Sequence, residues 1–567
     1  MVKKTVTVLM MLVLVSALAL AGQQKVAKVG PRKVVTGDEP ARISTVQRTS
    51  LAEPTAAPGT ELTTTYYDYG SNGGPCHNLI NYGDGTLSLG RMIAADAGYT
   101  TRGTYYAYFD GSTWTSPLRV ESVRRGWGNI DQFKDVDGIE VTVAHAGLAV
   151  NVDGAKGQGS WTQALTGGTN GTSWPRMATG GGTYVHIIAS NTGVAPHYTR
   201  SADGGSTFEE NDSLIYHGTF TGADGYDIAS QGSKVGIVIG NQTDLTVLLS
   251  SDNGNTWSEQ TIWTIHADSG ALPHNTTELV PDGGLAAIFD NNGNFHVVSG
   301  SYLGIGDSLN TEGNYYSLQA PIRHWSEATG WQDIAFPPQD TLIIPAAGSG
   351  PEAGGRNGGI ASEPDIAVDA SNHLYVVYAS TVPIVDDSSH YVTHIFALAS
   401  KDGGTTWGTT HDLTPDAGFS AQFPSMADLV DANLHIVYNA SALAGNSVQG
   451  TFAAVPTPVM YLEVPANSLT AVKETGSGIA KKYSLDQNFP NPFNPTTNIN
   501  YTLANAGNVK LTVYNVLGQE VATLVNGYKN AGSYAAQFNA SKVSSGVYFY
   551  TLTAGSFTDV KKMVLLK

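Results

Sequence analysis

Eight residues of the chain have side chains that could do chemistry, and each lies just before or near the start of a predicted β-strand. They are Trp127, Trp174, Arg176, Tyr226, Asp227, His274, Glu363 and Asp365. Aromatic rings with a few polar neighbours suit stacking on sugars or holding an extended chain. The carboxylates suggest a second chemistry, in which Asp227 with Asp365 or Glu363 acts as a hydrolytic pair. A third interpretation, in which both tryptophans only fill space between structural units, stays open.

Metal and cofactor chemistry has little support in the sequence. Residues 135–138 and 290–294 have carboxylate and amide spacing like part of a calcium loop, but neither supplies the later acidic ligand, so both predict hairpin turns. The 14 histidines include no His-x-x-x-His pair with a third ligand. The single cysteine, Cys76, predicts a buried small side chain and excludes an internal disulfide. We therefore predict neither a metal site nor a cofactor.

The composition predicts an all-β protein. Charged residues make up 14% of the 567 residues, whereas there are 65 glycines and 27 tyrosines, which suits short strands joined by tight turns. The net charge of −18 argues against nucleic acid as a partner, because phosphate binding requires clustered lysine and arginine. A chain of this length predicts several domains.

A turn motif, Ser-x-Asp-x-Gly-x-Thr-aromatic, recurs three times in the middle of the chain. In it, Asp accepts backbone hydrogen bonds, Gly takes a positive φ, and the aromatic residue packs beneath the loop. Degraded copies end at Trp114, Trp161 and Trp331, and most intervals between copies suit one blade of a β-propeller. The structural positions of the complete copies are Asp203, Gly205, Thr207, Asp252, Gly254, Thr256, Trp257, Asp402, Gly404, Thr406 and Trp407.

A second repeat predicts the inner strands of the blades. It occurs at residues 175–178, 364–367 and 424–427, each followed by a turn and alternating apolar residues, and weaker equivalents bring the strand starts to seven. Seven strand starts against six aromatic-ended turns favour seven blades, with six as the alternative. Residues 60–69 alternate β-forming residues and could add a strand to the last blade, which would close the ring.

The ends of the chain differ from this middle part. Lys3 and Lys4, an apolar run and an A-x-A site predict a signal peptide over residues 1–21, followed by a flexible leader at 22–59. No later segment is long and apolar enough to span a membrane. The predicted propeller covers residues 60–467 and a linker covers 468–482. Short, closely spaced strands then predict a small immunoglobulin-like β-sandwich at 483–567.

The repeated turn resembles the Asp-box, or bacterial neuraminidase repeat, and residues 60–467 resemble sialidase-type propellers. This resemblance implies an arginine triad, a Tyr nucleophile assisted by Glu, and an Asp acid/base. The sequence departs from that pattern, because residues 75–80 carry no arginine where the first one is required. Glu278 is out of register with the expected glutamate, whose place lies nearer His274. The arginines that folding could bring together are Arg91, Arg176, Arg323 and Arg356.

The last 85 residues resemble the type A sorting domain of type IX secretion. The resemblance rests on residues 488–497, which read Asn-Phe-Pro-Asn-Pro-Phe-Asn-Pro-Thr-Thr, on residues 514–518, and on the basic pair Lys561 and Lys562 near the end. It implies export from a Gram-negative bacterium, handling by the type IX secretion machinery as a partner, and a final place on the cell surface or outside the cell.

Two functions are compatible with the middle of the chain. The prediction we prefer is a surface or secreted propeller that binds glycan or protein ligands, and the alternative is a secreted, sialidase-like glycosidase.

Overall fold

The structure, a computed structural model, describes residues 57–566 with gaps, the longest of which are 265–276, 338–359 and 470–482. The chain divides into two compact units that meet between Ala471 and Val472. The predicted signal peptide, almost all of the leader and most of the linker lie outside the described residues, so their limits and those of residues 60–467 and 483–567 stay predictions. No helix with the length and hydrophobicity of a membrane span occurs in the described part of the chain.

The first unit consists of antiparallel sheets that follow one another along the chain. Its first strand, β1 (Thr60–Thr65), belongs to the last of them. The next four sheets use consecutive strands. Sheet 1 contains β2 (Leu79–Asn81), β3 (Leu87–Ile93), β4 (Gly103–Phe109) and β5 (Leu118–Arg119). Sheet 2 contains β6 (Gly126–Gln132), β7 (Glu140–His145), β8 (Ala149–Asp153) and β9 (Trp161–Thr166). Sheet 3 contains β10 (Ser173–Thr179), β11 (Val185–Asn191), β12 (Val194–Ser201) and β13 (Ser213–Leu214). Sheet 4 contains β14 (Tyr226–Gln231), β15 (Lys234–Gly240), β16 (Asp244–Ser250) and β17 (Ser258–Thr264).

The remaining three sheets carry small additions to this plan. Sheet 5 contains β18 (Thr277–Phe289), β19 (Phe295–Ile305), β20 (Asn314–Tyr316), β21 (Ile322–Ser326) and β22 (Gly330–Ala335). Sheet 6 contains β23 (Ala361–Asp369), β24 (Leu374–Val385), β25 (Tyr391–Ser400), β26 (His411–Asp412) and the short parallel strand β28 (Leu429–Val430). Sheet 7 contains β27 (Ser420–Met426), β29 (Asn433–Ser441), β30 (Thr457–Pro465) and β1.

Each sheet packs against the next, and sheet 7 packs against sheet 1 through β29 and β2, so the first unit is a β-propeller. The inner strands are β2, β6, β10, β14, β18, β23 and β27. Strand β1 pairs with β30 from Thr60 opposite Tyr461 to Thr65 opposite Thr457, which confirms the predicted closing strand. The described residues of the first unit therefore form seven sheets, and we keep seven blades as the working prediction.

A β-bulge recurs where several inner strands begin. Register shifts follow Gly126, Ser173, Ser362 and Gln422, and the residue after each has a positive φ. These positive-φ residues are Trp127, Trp174, Glu363 and Phe423. A bulge re-aims the side chains on either side of it. Three of the eight residues singled out from the sequence, Trp127, Trp174 and Glu363, thus owe their orientation to this repeated β-bulge.

The three complete turn motifs have the predicted internal bonding. In the first, the Asp203 carboxylate accepts the Thr207 N–H at 2.8 Å and the Thr207 hydroxyl at 2.6 Å, while Gly205 N–H donates to Ser201 Oγ at 2.9 Å. The turns of Asp252 and Asp402 repeat these bonds. Each turn joins the third and fourth strands of its sheet. The motif is therefore structural.

The second unit is a sandwich of two sheets. One contains β31 (Ser484–Leu485), β32 (Thr496–Leu503) and β35 (Gly532–Asn539). The other contains β33 (Gly507–Asn515), β34 (Glu520–Lys529), β36 (Gly546–Ala554) and β37 (Phe557–Leu565). Alternate residues such as Ile499, Leu511 and Tyr550 are buried between the sheets. The Phe493 ring joins this core, and backbone bonds between Phe493 and β37 hold the proline-rich entry to the C-terminal strand.

Candidate functional site

The central channel of the propeller has two ends with different contents. We call the end where the inner strands begin the entry end, and the end where they finish, on the side of the Ser-x-Asp turns, the turn end. Between β1 and β2 the chain runs through the entry end as residues 66–78, which we call the entry segment. Almost every residue of this segment is buried, including Tyr67, Tyr69 and Cys76.

The entry segment crosses the middle of the ring, because it contacts sheets on several sides. Its Gly74 lies so close to sheet 5 that a Cβ there would meet the Leu285 carbonyl oxygen at 1.8 Å. Its Cys76 carbonyl accepts a hydrogen bond of 2.8 Å from Ser425 Oγ of sheet 7. Among the described residues, two small spaces of about 10 Å³ each lie beside it. The entry end is therefore filled by the protein's own chain.

Two buried arginines hold the entry segment and its surroundings. Arg176 donates from Nη2 to the Gly74 carbonyl at 2.9 Å and to Ser71 Oγ at 3.2 Å, and from Nη1 to the Pro175 carbonyl at 3.1 Å. Arg91 donates to Asn78 Oδ1 at 2.9 Å and to Asn439 Oδ1 at 3.0 Å. Burial lowers the pKa of Arg91 to about 10. Both guanidinium groups thus bind parts of the protein itself.

The arginines that the sialidase resemblance required do not converge within the described part of the chain. Arg323 lies on β21, the third strand of sheet 5, where it pairs with Asp333 at 3.0 Å and covers the Trp331 ring. Arg356 lies outside the described residues. Glu278 is a half-buried residue of β18. A third strand is far from the inner strands, so Arg323 cannot complete a carboxylate clamp with Arg91 and Arg176.

The two tryptophans lie in the core of the entry end. Trp127 is 0% exposed and packs edge-on against Tyr67 and His145 at ring-centre distances of 6.1 and 4.9 Å. Trp174 is 1% exposed and its backbone N–H donates to His145 Nδ1 at 3.1 Å. In this structure neither indole has a face open to a ligand. Their surroundings correspond to the interpretation in which tryptophans fill space between structural units.

Tyr226 and Glu363 also make internal contacts at this end. The Tyr226 hydroxyl donates to the Trp174 carbonyl at 2.8 Å, and the Glu363 carboxylate accepts the Phe423 N–H at 3.0 Å. Both residues are buried. His274 lies outside the described residues.

The two predicted aspartates come together around a histidine. His77 Nε2 lies 3.1 Å from Asp227 Oδ1, and the other oxygen of Asp227 accepts the Ala287 N–H at 2.8 Å. Asp365 accepts the Met426 N–H at 2.7 Å and is close enough to His77 to act on its charge. The inner strands β14 and β23 thus supply carboxylates to one side chain of the entry segment.

The carboxylates around His77 favour its protonated form. Burial by itself lowers the pKa of His77, but the charges of Asp227, Asp428 and Asp365, with the Asp227 hydrogen bond, outweigh it and raise this pKa to about 10. Burial raises the pKa of Asp365 to about 7, although His77 opposes the shift. Burial likewise raises the pKa of Asp428, against the effect of His77 and Lys134. Positive charge at His77 therefore balances a carboxylate cluster.

At the turn end the channel opens into a cavity of about 300 Å³, which we call the central cavity. Its apolar wall comes from inner strands and includes Ile80, Ile130 and Ile228. Its polar groups include His77, Asp131, Gln132, Lys134, Ser230, Gln231, Asn291 and Asp428. Leu429, at 38% exposure, marks its outer edge. A concave, partly apolar space with a few polar groups has the character of a small-ligand site.

Sequence reasoning missed the residues that line this cavity. Lys134 and Asp428 follow inner strands, whereas the residues singled out from the sequence lie near the starts of predicted strands. His77 was noted only as part of a stretch without arginine. A usable signal existed, because Asp428 directly follows the repeat at residues 424–427 and so had to lie where an inner strand ends.

The described residues contain no group of three or more His, Cys, Asp or Glu side chains arranged to hold a metal ion. Asp290 instead organises the hairpin between β18 and β19 by accepting the N–H groups of Asn292 and Asn294 at 2.9 and 2.8 Å.

Comparison with solved structures finds several propeller proteins with low sequence identity. An ulvan lyase of polysaccharide lyase family PL25, solved bound to -[GlcA(1-4)Rha3S]-, aligns with 71% of this chain and 96% of its own at 12% identity and a TM-score of 0.42. A protein of unknown function from Dyadobacter fermentans aligns with 72% of this chain and 99% of its own at 12% identity and a TM-score of 0.35. The NanB sialidase from Streptococcus pneumoniae aligns with 74% of this chain and 72% of its own at 11% identity and a TM-score of 0.34. No curated protein matches the chain.

The C-terminal unit has a clear family match. Residues 487–566 match the secretion system C-terminal sorting domain family. This confirms the sorting domain and export to the cell surface or the medium of a Gram-negative bacterium. The protein is therefore an exported β-propeller whose C-terminal residues, 487–566, match the secretion system C-terminal sorting domain family.

Proposed function

We propose that this protein is a non-catalytic binding propeller of the cell surface or the surrounding medium, and that a glycan or peptide ligand enters the central cavity. The observation that carries the proposal is the contrast within the channel. The entry end holds the protein's own chain, while the turn end offers a cavity of about 300 Å³.

The chemistry of the central cavity favours a ligand rich in hydroxyl or amide groups. The amides of Gln132, Gln231 and Asn291 provide both donors and acceptors, and His77 and Lys134 add positive charge beside Asp428. The isoleucine wall suits the apolar face of a sugar ring or a small side chain. We place glycans first and peptides second as ligands for this site.

The repeated turns support a relationship between this propeller and the Asp-box, sialidase-like propellers, and we propose that relationship. We also propose that the C-terminal unit is a type A sorting domain handled by the type IX machinery. The signal peptide at residues 1–21 is the corresponding proposal for passage through the inner membrane. Such a propeller does not have to be an enzyme, because one fold supports many functions.

A sialidase-like glycosidase remains the second candidate, and one observation favours it. Asp428 lines the central cavity and burial raises its pKa, as suits a general acid. Against it, Asp227 and Asp365 are 1% and 4% exposed, so neither offers an open carboxylate as partner.

A cavity-filling variant tests the binding proposal. Ala178 lines the central cavity, so Ala178→Phe should reduce affinity for any ligand bound there at least tenfold in calorimetric titrations with glycan and peptide panels. Ala155→Phe, on an exposed turn, is the matched control and should bind normally. Turnover of a glycan by the wild-type protein, abolished by Asp428→Asn, would replace the binding proposal with the glycosidase.

Export is tested separately. We expect deletion of residues 483–567 to leave the protein in the periplasm, as measured by cell fractionation and surface labelling. Surface display of the truncated protein would refute the role of this unit in export.

A further inference from the structure

The Ser-x-Asp turns close the grooves between neighbouring sheets. The glycine of each complete turn lies against the third strand of the preceding sheet: a Cβ on Gly254 would meet the Tyr198 hydroxyl at 2.0 Å, and one on Gly404 would meet the His324 ring at 2.5 Å. Arg200 of sheet 3 also donates to the Asn253 carbonyl and to Asn255 Oδ1, both at 2.7 Å. Complete turns therefore reach across and cover the groove.

Sheet 5 has a shortened turn. Strand β21 ends at Ser326 and β22 begins at Gly330, so only residues 327–329 join them, and the Thr329 N–H bonds back to the Ser326 carbonyl at 3.3 Å. The neighbouring position of sheet 4 has changed too. In sheet 3 Arg200 directly precedes Ser201, whereas in sheet 4 Leu249 directly precedes Ser250. A leucine side chain has no hydrogen-bond donor that could hold a turn of the next sheet.

A second cavity, of about 310 Å³, lies where this cover is missing, between sheets 4 and 5. We call it the groove cavity. The residues that line it include the aromatic residues Phe295 and Trp325 and the polar residues Ser251, Gln260 and Asn294. Lys234 also lines it and uses one N–H on the Gly293 carbonyl at 3.0 Å, which leaves two of its three donors.

From this arrangement we infer that the groove cavity binds one neutral sugar ring. Aromatic side chains provide apolar contact for the C–H face of a sugar, and hydroxyl, amide and ammonium groups provide partners for its hydroxyls. Lys234 and Glu327, both of which line the cavity, balance each other in charge. His296 adds no charge, because burial lowers its pKa. A neutral ligand therefore fits this site better than an anion or a cation.

Restoring the missing turn tests the inference. Residues 326–331 are replaced by the complete turn of residues 201–208, and binding of methyl glucoside, methyl galactoside and methyl mannoside is measured by saturation-transfer NMR. The wild-type protein should bind at least one of them, and the graft should weaken that binding at least tenfold. A matched graft, which puts residues 250–257 in place of 201–208, exchanges one complete turn for another and should bind normally.

A point variant covers the case in which the graft does not fold. Ala328 lines the groove cavity on the short turn, so Ala328→Trp should block the sugar, whereas Ala202→Trp on a complete turn should not. No sugar binding by the wild-type protein, or unchanged binding in a folded graft or in Ala328→Trp, overturns the inference. Sugar binding that is lost in Ala178→Phe but kept in Ala328→Trp also overturns it and assigns the sugar to the central cavity instead.

Discussion

The two ends of the propeller channel show how one ring of strands can provide both a core and a cavity. At the entry end, bulges turn Trp127 and Trp174 inward, and the entry segment occupies the space between the sheets. At the turn end, the inner strands run out and the central cavity remains open beside His77 and Lys134. Substitutions at the entry end should therefore affect folding, and substitutions of exposed side chains at the edge of the central cavity should affect binding. His77 belongs to the entry segment and also lines the cavity, so we expect its substitution to affect stability as well.

The largest effect should come from Trp127→Ala. The indole is 0% exposed and contacts Tyr67 and His145, so its loss leaves a cavity and should lower the free energy of unfolding by about 3–5 kcal/mol. Urea denaturation monitored by circular dichroism measures this change. A stable variant that loses ligand binding would mean that Trp127 belongs to a site rather than to the core.

Arg176→Met should rank second, at about 3 kcal/mol, because it removes three hydrogen bonds donated by a buried charged group. The Gly74 and Pro175 carbonyls keep the bonds donated by Ser71 Oγ and Asn129 Nδ2. The variant also tests whether the entry segment is held by this side chain. Amide hydrogen exchange should increase within residues 66–78 first. Equal exchange in the variant and the wild type would show that other contacts suffice.

His77→Gln should give a pH-dependent effect. The folded-state pKa of about 10 exceeds the ordinary value of 6.5, so the stabilisation by protonated His77 is complete below about pH 6.5 and is lost as the pH rises through 10. The variant should be less stable by about 1.5–3 kcal/mol at pH 7.5, the range for a hydrogen bond to a charged group. This difference from the wild type should shrink towards zero by pH 10.5.

Asp365, whose pKa is raised to about 7, also makes the free energy of unfolding fall as the pH rises, but over a lower pH range. Its protonated form favours folding, and that contribution declines as the pH rises from about 4 to 7. Unfolding titrations of both proteins at several pH values separate the two groups. A constant difference between His77→Gln and wild type across pH 7.5–10.5 would contradict the assignment of the charge to His77.

Lys134→Ala should have the smallest effect on stability. Lys134 is exposed at the edge of the central cavity, and exposed substitutions usually change the free energy of unfolding by less than about 0.5 kcal/mol. Its effect should appear in ligand affinity measured by titration calorimetry. A large loss of stability would mean that the turn end is also part of the core.

The sequence repeats predicted the fold more completely than they predicted the residues of the candidate site. The Ser-x-Asp motif predicted a repeated turn in successive sheets. Such a turn can be predicted because its hydrogen bonds join residues that are neighbours in the sequence. The closing strand at Thr60–Thr65 was also predictable from its alternation, although the strand ends before residues 66–69. Asp227 and Asp365 both lie near His77, which the sequence did not single out, and their role as a hydrolytic pair stays a prediction.

The residues that precede the inner strands could not be assigned by spacing alone. Trp127, Trp174 and Glu363 lie within the first residues of β6, β10 and β23, yet whether such residues face a ligand depends on what occupies the channel. The entry segment decides this, and its glycines and small residues carry no periodic signal. Its contacts with Arg176 and Leu285 join positions more than 100 residues apart in the sequence.

The sequence by itself determined the all-β composition, the repeated turns and the sorting domain, because these depend on local hydrogen bonding, alternation and short contiguous motifs. Only the tertiary structure decided which end of the channel is open, that His77 is charged, and that a shortened turn uncovers the groove between sheets 4 and 5. Each of these depends on groups from several sheets meeting in space, and burial and charge act through those distances rather than along the chain.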